Sequence, residues 1–121
     1  MLGVIDQYGG KCFEYLNRLK IKHAVPPLLL GLFILKLLLK EPMHGYQLTI
    51  KLNELLKIDI PRQMVYFILK KQEEAGFVKS EWMLEDEAKP RRVYSITDDG
   101  KKFLKDIIPY LKALIEKVEH L

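Results

Sequence analysis

Arg62, Gln63, Tyr66 and Lys70 recur at spacings of three, four and seven residues. On an α-helix that spacing puts them on one face. Their side chains suit one kind of chemistry. A guanidinium fork pairs with O6 and N7 of guanine, a carboxamide with N6 and N7 of adenine, and an ammonium meets a phosphate. An exposed aromatic such as Tyr66, with Phe67 beside it, favours an interface over open water. Lys89, Arg91 and Arg92 form a second basic group. Each phosphate that such a group neutralises steepens the salt dependence of binding. The competing expectations are a plain solvated helix face and, for the second group, pairing with Glu85, Asp86 and Glu87. Exposed pairs of that kind are worth only about 0–1 kcal/mol.

Other chemistries find no support. The spacing of His44 to Cys12, His23 and His120 fits no metal motif, so His44 reads as a helix-start residue. Asp98 and Asp99 are adjacent and stand where a helix begins, which suits capping better than acid–base work. There is no glycine-rich phosphate loop and no nucleophile elbow. The expectation is a protein that is not an enzyme, with no metal and no cofactor. The single cysteine, Cys12, forms no internal disulfide. That points to a reducing compartment, the cytoplasm.

The elements that position these residues are punctuated by proline and glycine. Residues 1–25 read as a basic N-terminal extension, helical from the spacing of Tyr8, Cys12, Tyr15, Leu16 and Leu19. Residues 25–39 (VPPLLLGLFILKLLL) are the most apolar run. They fall short of the roughly 20 apolar residues of a membrane span, so no membrane partner is expected. A helix apolar all round is buried on all sides, which in so small a chain suggests a second subunit. A second helix is expected over 43–56 and a third over 61–75, with Gly76 as its cap. Residues 77–84 and 91–97 read as a hairpin with a polar tip. Thr97 or Asp98 caps a last helix, kinked at Pro109. Along it Leu104, Ile108, Leu111, Ile115 and Val118 alternate at four and three residues, a coiled-coil-like seam for a homodimer.

The fold class is therefore mainly α with a small β-hairpin. The order is that of a winged helix-turn-helix over 26–97, followed by a C-terminal dimerisation helix over 98–121. Trp82, the only tryptophan, reads either as plain strand packing or as a contact for a small aromatic effector.

In four places the residues resemble the PadR-like transcriptional regulators. These are Leu30-Gly31-Leu32; His44-Gly45-Tyr46; Tyr66 with Ile68-Leu69, Glu73, Gly76, Phe77 and Val78; and Arg91-Arg92 with Tyr94, Thr97 and Gly100. The resemblance implies a winged-helix homodimer that acts on double-stranded DNA as a regulator, most often a repressor. It implies that the third helix and the wing touch DNA, with Tyr66 the best-supported contact and Arg91 and Arg92 at the base of the wing. The chain departs from the pattern at Pro61, where a hydroxyl residue is usual, at Gln72, where a core leucine is usual, and at the acidic tip 85–87. Pro61 and that tip favour one rival, a winged-helix protein–protein module. A second rival is a peripheral membrane protein using residues 25–39.

Net charge does not decide among these. The chain has 20 basic and 16 acidic residues, a formal +4. Residues 1–40 carry six basic and two acidic side chains, residues 41–80 six and five, and residues 81–121 eight and nine. The excess lies in the extension and first helix, where Lys11, Arg18, Lys20 and Lys22 are further candidates for phosphate contact.

Overall fold

The computed structural model describes Arg18, residues 25–84 and residues 89–121. The other extension lysines named above, Lys11, Lys20 and Lys22, lie outside the described residues, as does the acidic tip 85–87. Helix α1 spans Pro27–Lys40. Strand β1 is Met43–His44, α2 is Gly45–Leu56 and α3 is Arg62–Glu74. Strands β2 (Val78–Met83) and β3 (Arg91–Ile96) form the wing, and α4 (Asp98–Glu119) closes the chain. This is a winged helix-turn-helix.

The sheet has one strand more than the hairpin read from sequence. Its order is β1-β3-β2, all antiparallel. Met43 pairs with Tyr94 and His44 with Val93. Residues 43–44 were expected to open a helix. A two-residue strand carries no periodicity to betray it.

α1 is the centre of the core. Leu30, Ile34, Leu35 and Leu38 are buried against Leu48, Leu52, Val65 and Leu69. Each such side chain contributes about 1.5–3 kcal/mol by leaving water. The helix is not buried all round within one chain, since Leu28, Leu29 and Leu39 remain exposed. One outer stretch, Leu29, Leu32, Phe33 and Lys36, forms a shallow apolar depression with Leu104 and Ile108 of α4.

The turn between α2 and α3 is held by one side chain. Asn53 Oδ1 accepts from the Ile60 N–H at 2.7 Å, and Asn53 Nδ2 donates to the Ile60 carbonyl at 3.4 Å. Before it, α2 ends on Lys57 at φ 58°, a left-handed residue that is not glycine.

α3 ends in a Schellman motif. The Phe77 N–H donates to Gln72 O at 2.8 Å and the Gly76 N–H to Glu73 O at 3.0 Å. Gly76, at φ 83°, takes the left-handed position this requires. Thr97 then fastens the start of α4 to that end. Its hydroxyl donates to Gly76 O at 2.6 Å and accepts from the Gly100 N–H at 3.0 Å. Its own N–H donates to Phe77 O at 3.0 Å. Gly100 packs so closely on the Phe77 carbonyl that no β-carbon fits there. α4 continues through Pro109 to Glu119 without a break.

Candidate nucleic-acid interface

α3 turns Val65, Ile68 and Leu69 into the core. Arg62, Gln63, Tyr66 and Lys70 are all exposed on its outer side. Tyr66 is held by a close approach: its ring lies against Gly45 at the start of α2, where a β-carbon would collide with it. The Arg62 guanidinium sits 5.1 Å from the centre of the Tyr46 ring, so α2 steadies both side chains. Phe67 is also exposed, with Lys71 Nζ 5.6 Å from its ring.

His44 is the helix-start residue expected. Its Nδ1 accepts from the Gln47 N–H at 3.2 Å, and Gln47 Oε1 accepts from the His44 N–H at 3.3 Å. The pair forms a capping box with histidine in place of serine. His44 Nε2 lies 2.9 Å from Arg91 Nη1. Both ring nitrogens thus face N–H groups, and a neutral imidazole accepts from only one of them at a time.

Between α3 and the wing lies an open cleft of about 560 Å³. Arg62 and Tyr66 line one side, Trp82, Arg91 and Arg92 the other, with His44 at one end. The cleft is cationic and aromatic, which suits a phosphate backbone with a base or sugar beside it.

The two wing arginines are placed differently. Arg91 is exposed and turned towards His44. Arg92 is engaged: its Nε donates to Ser80 Oγ at 2.7 Å and its Nη2 to Glu73 Oε1 at 2.9 Å. Ser80 Oγ donates in turn to Glu73 Oε2 at 2.6 Å. Among the described residues the acid that Arg92 meets is on α3. The guanidinium also lies 5.9 Å from the Trp82 ring and 5.7 Å from the Tyr94 ring. Lys89 is exposed at the foot of β3. Burial pushes the Tyr94 hydroxyl above the usual tyrosine range, against a smaller opposite pull from Arg92.

Trp82 is 68% exposed and flanks the cleft, so plain strand packing does not describe it. The seam of α4 divides. Leu104 is buried in this chain's own core. Ile108 and Leu111 are half-buried, while Ile115 and Val118 are exposed. A four–three apolar spacing serves a core and an interface equally well, and the first turns of α4 lie over α1.

Ser80 and Asn53 carry no sequence signal for the site, and Glu73 and Gly45 enter only through the family resemblance. Nothing local marks Glu73 as the partner of an arginine 19 residues away. Among the described residues no group of His, Cys, Asp or Glu is placed to hold a metal ion. No helix among them is long and apolar enough to cross a membrane.

A search of curated proteins finds no match. Solved structures do match. One is a protein from Thermoplasma acidophilum described as a transcriptional regulator, 39% identical over 78% of this chain and 91% of that one, at TM-score 0.70. A second is a PadR family transcriptional regulator from Eggerthella lenta, 30% identical over 75% and 79%, at TM-score 0.68. A third is Bacillus subtilis PadR in complex with operator DNA, 29% identical over 69% of this chain and 48% of that one, at TM-score 0.62. The family model of the transcriptional regulator PadR-like family matches residues 34–106, which take in α2, α3, both wing strands and the first turns of α4. The chain belongs to the PadR-like family of transcriptional regulators.

Proposed function

We propose that this regulator is a cytoplasmic, sequence-specific DNA-binding repressor that acts as a homodimer on a roughly palindromic operator. The observation that carries the reading is the outer face of α3. Arg62, Gln63, Tyr66 and Lys70 stand exposed there, with Arg62 and Tyr66 braced by α2 beside a cationic cleft. The structure of Bacillus subtilis PadR with operator DNA supports it by similarity. In this reading α3 enters the major groove, and Lys89 and Arg91 meet phosphates. Arg92 acts first through Glu73, fixing the angle between wing and helix. Two α3 helices about one DNA turn apart, near 34 Å, would read the two half-sites.

The second copy is argued from α4. Ile115, Val118 and Leu114 are exposed on its far half, with an apolar depression on α1 and α4 beside them. Burying these against an identical helix removes apolar surface from water twice over.

The test is a titration with fragments of the protein's own upstream DNA at two salt concentrations. Arg62→Ala and Tyr66→Ala should each lower specific affinity by about 1–3 kcal/mol, with the fold intact. Unchanged affinity in both would overturn the assignment of the reading face. The engagement of Arg92 by Glu73 favours one rival, a protein-binding winged helix. That rival predicts no salt-dependent DNA binding at all.

A further inference from the structure

Trp82, 68% exposed, is the most exposed aromatic side chain among the described residues. The wing's register holds it in place. Trp82 pairs with Arg92, and Ser80 pairs with Tyr94. Residues two apart on a strand share a face, so Trp82, Arg92 and Tyr94 stand together on one side of the wing. The Arg92 guanidinium lies 5.9 Å from the centre of the indole and leaves most of the ring open to solvent. That side of the wing looks across the cleft at Arg62 and Tyr66. The rings of Tyr66 and Tyr46 already carry a neighbour each, Gly45 and the Arg62 guanidinium. The indole is the broader and the more open. Among the described residues that line the cleft none is acidic.

An intact duplex has little use for such a ring. It offers phosphates, sugars and base edges, while its base faces are stacked on one another. An unpaired base offers its flat face, and an aromatic side chain beside cations is the arrangement that holds one. We propose that the cleft also binds single-stranded nucleic acid, with an unpaired base stacked on Trp82 and the flanking phosphates on Arg62 and Arg91. The cleft's volume of about 560 Å³ lies within the range of small-ligand sites. Every base has a flat face, so this binding is indifferent to sequence. It goes beyond the reading of a duplex by α3 and does not depend on it.

Trp82 is the chain's only tryptophan, so its fluorescence reports the contact directly. The full chain is titrated with an oligothymidylate of about sixteen nucleotides. It is titrated beside that with an abasic strand of equal length, and with the thymidylate paired to its adenylate complement below the duplex melting temperature. The abasic strand carries the same phosphates without bases, so it isolates the contribution of charge. Of these three only the single-stranded thymidylate should quench the indole. It should bind about five- to a hundredfold more tightly than the abasic strand, the range that one stacked base supports. Trp82→Ala, at an exposed position that leaves the core alone, should bind both single strands equally, as read by anisotropy of end-labelled strands. Trp82→Phe, with a smaller ring, should fall between. An RNA oligouridylate in the same titration tells a transcript from melted DNA as the source, by which strand binds more tightly. The proposal is overturned if the abasic strand binds as tightly as the thymidylate, or if the preference for bases survives Trp82→Ala. It is overturned too if the duplex quenches the indole as fully, which would make Trp82 a duplex contact. Loss of operator recognition by α3 would leave these outcomes unchanged, and their failure would leave operator recognition standing.

Discussion

The ring of Tyr66 on α3 rests on the α-carbon of Gly45 on α2, and the fit leaves no room for a methyl group between them. The glycine is therefore set by a side chain on the neighbouring helix and not by its own backbone angle. Gly45→Ala should displace Tyr66, cost about 1–3 kcal/mol of stability as overpacking does, and weaken DNA binding. Adding Tyr66→Ala should recover most of the stability and none of the binding. Denaturant unfolding of the single and double variants measures that coupling.

Asn53 makes the turn of the helix-turn-helix by closing two hydrogen bonds on Ile60. Asn53→Ala leaves the part-buried Ile60 N–H and carbonyl unpaired. A loss of about 1–3 kcal/mol is expected, read as a lower urea midpoint at unchanged slope.

Glu73 competes with any phosphate for Arg92. Both side chains are partly exposed, so Glu73→Gln should change stability by no more than about 1 kcal/mol. If Arg92 is then free to meet DNA, affinity rises and the logarithmic salt slope steepens by about 1. Titrations at several salt concentrations report both quantities.

Lys57 holds a left-handed backbone at the end of α2. A β-carbon makes that conformation cost about 1–2 kcal/mol. Lys57→Gly should raise the melting temperature, the reverse of what glycine does inside a helix.

Tyr94 is neutral at ordinary pH and its hydroxyl is raised by burial. A raised folded pKa stabilises fully below the unfolded value and is lost as pH rises through the folded one. Stability should therefore be insensitive to this group below pH ~10 and fall above it. Tyr94→Phe should flatten the alkaline limb of a stability–pH curve.

Ile115 is exposed on α4, so Ile115→Asp does not disturb the monomer's core. Sedimentation should show monomers with unchanged helicity. A persisting dimer would sink the pairing proposed for α4.

Much of this was legible along the chain. Arg62, Tyr66 and Lys70 declare their shared face by helical period alone, and Thr97 and Gly76 announce their helix ends by chemistry that acts within three or four residues. What stayed hidden depends on distance. Leu104 and Ile115 look alike in the same apolar spacing, yet one is sealed beneath α1 and the other faces water. Arg92 has acidic neighbours in sequence, but the fold offers it Glu73 from another element. Gln72 stands out in the sequence where a core leucine is usual, but its partner, the Gly31 carbonyl 41 residues away, does not.

Thr97 has a mechanical consequence. Through its own hydrogen bonds it welds the tail of α3 to the head of a 22-residue helix, about 33 Å long at 1.5 Å per residue. A weld of that kind turns α4 into the arm of a caliper whose jaw is α3. In a pair of such arms, a tilt of a few degrees where they cross would open or close the jaws by a few ångströms. In the proposed dimer, the gap between the two α3 helices would then be set where the arms cross, far from any base.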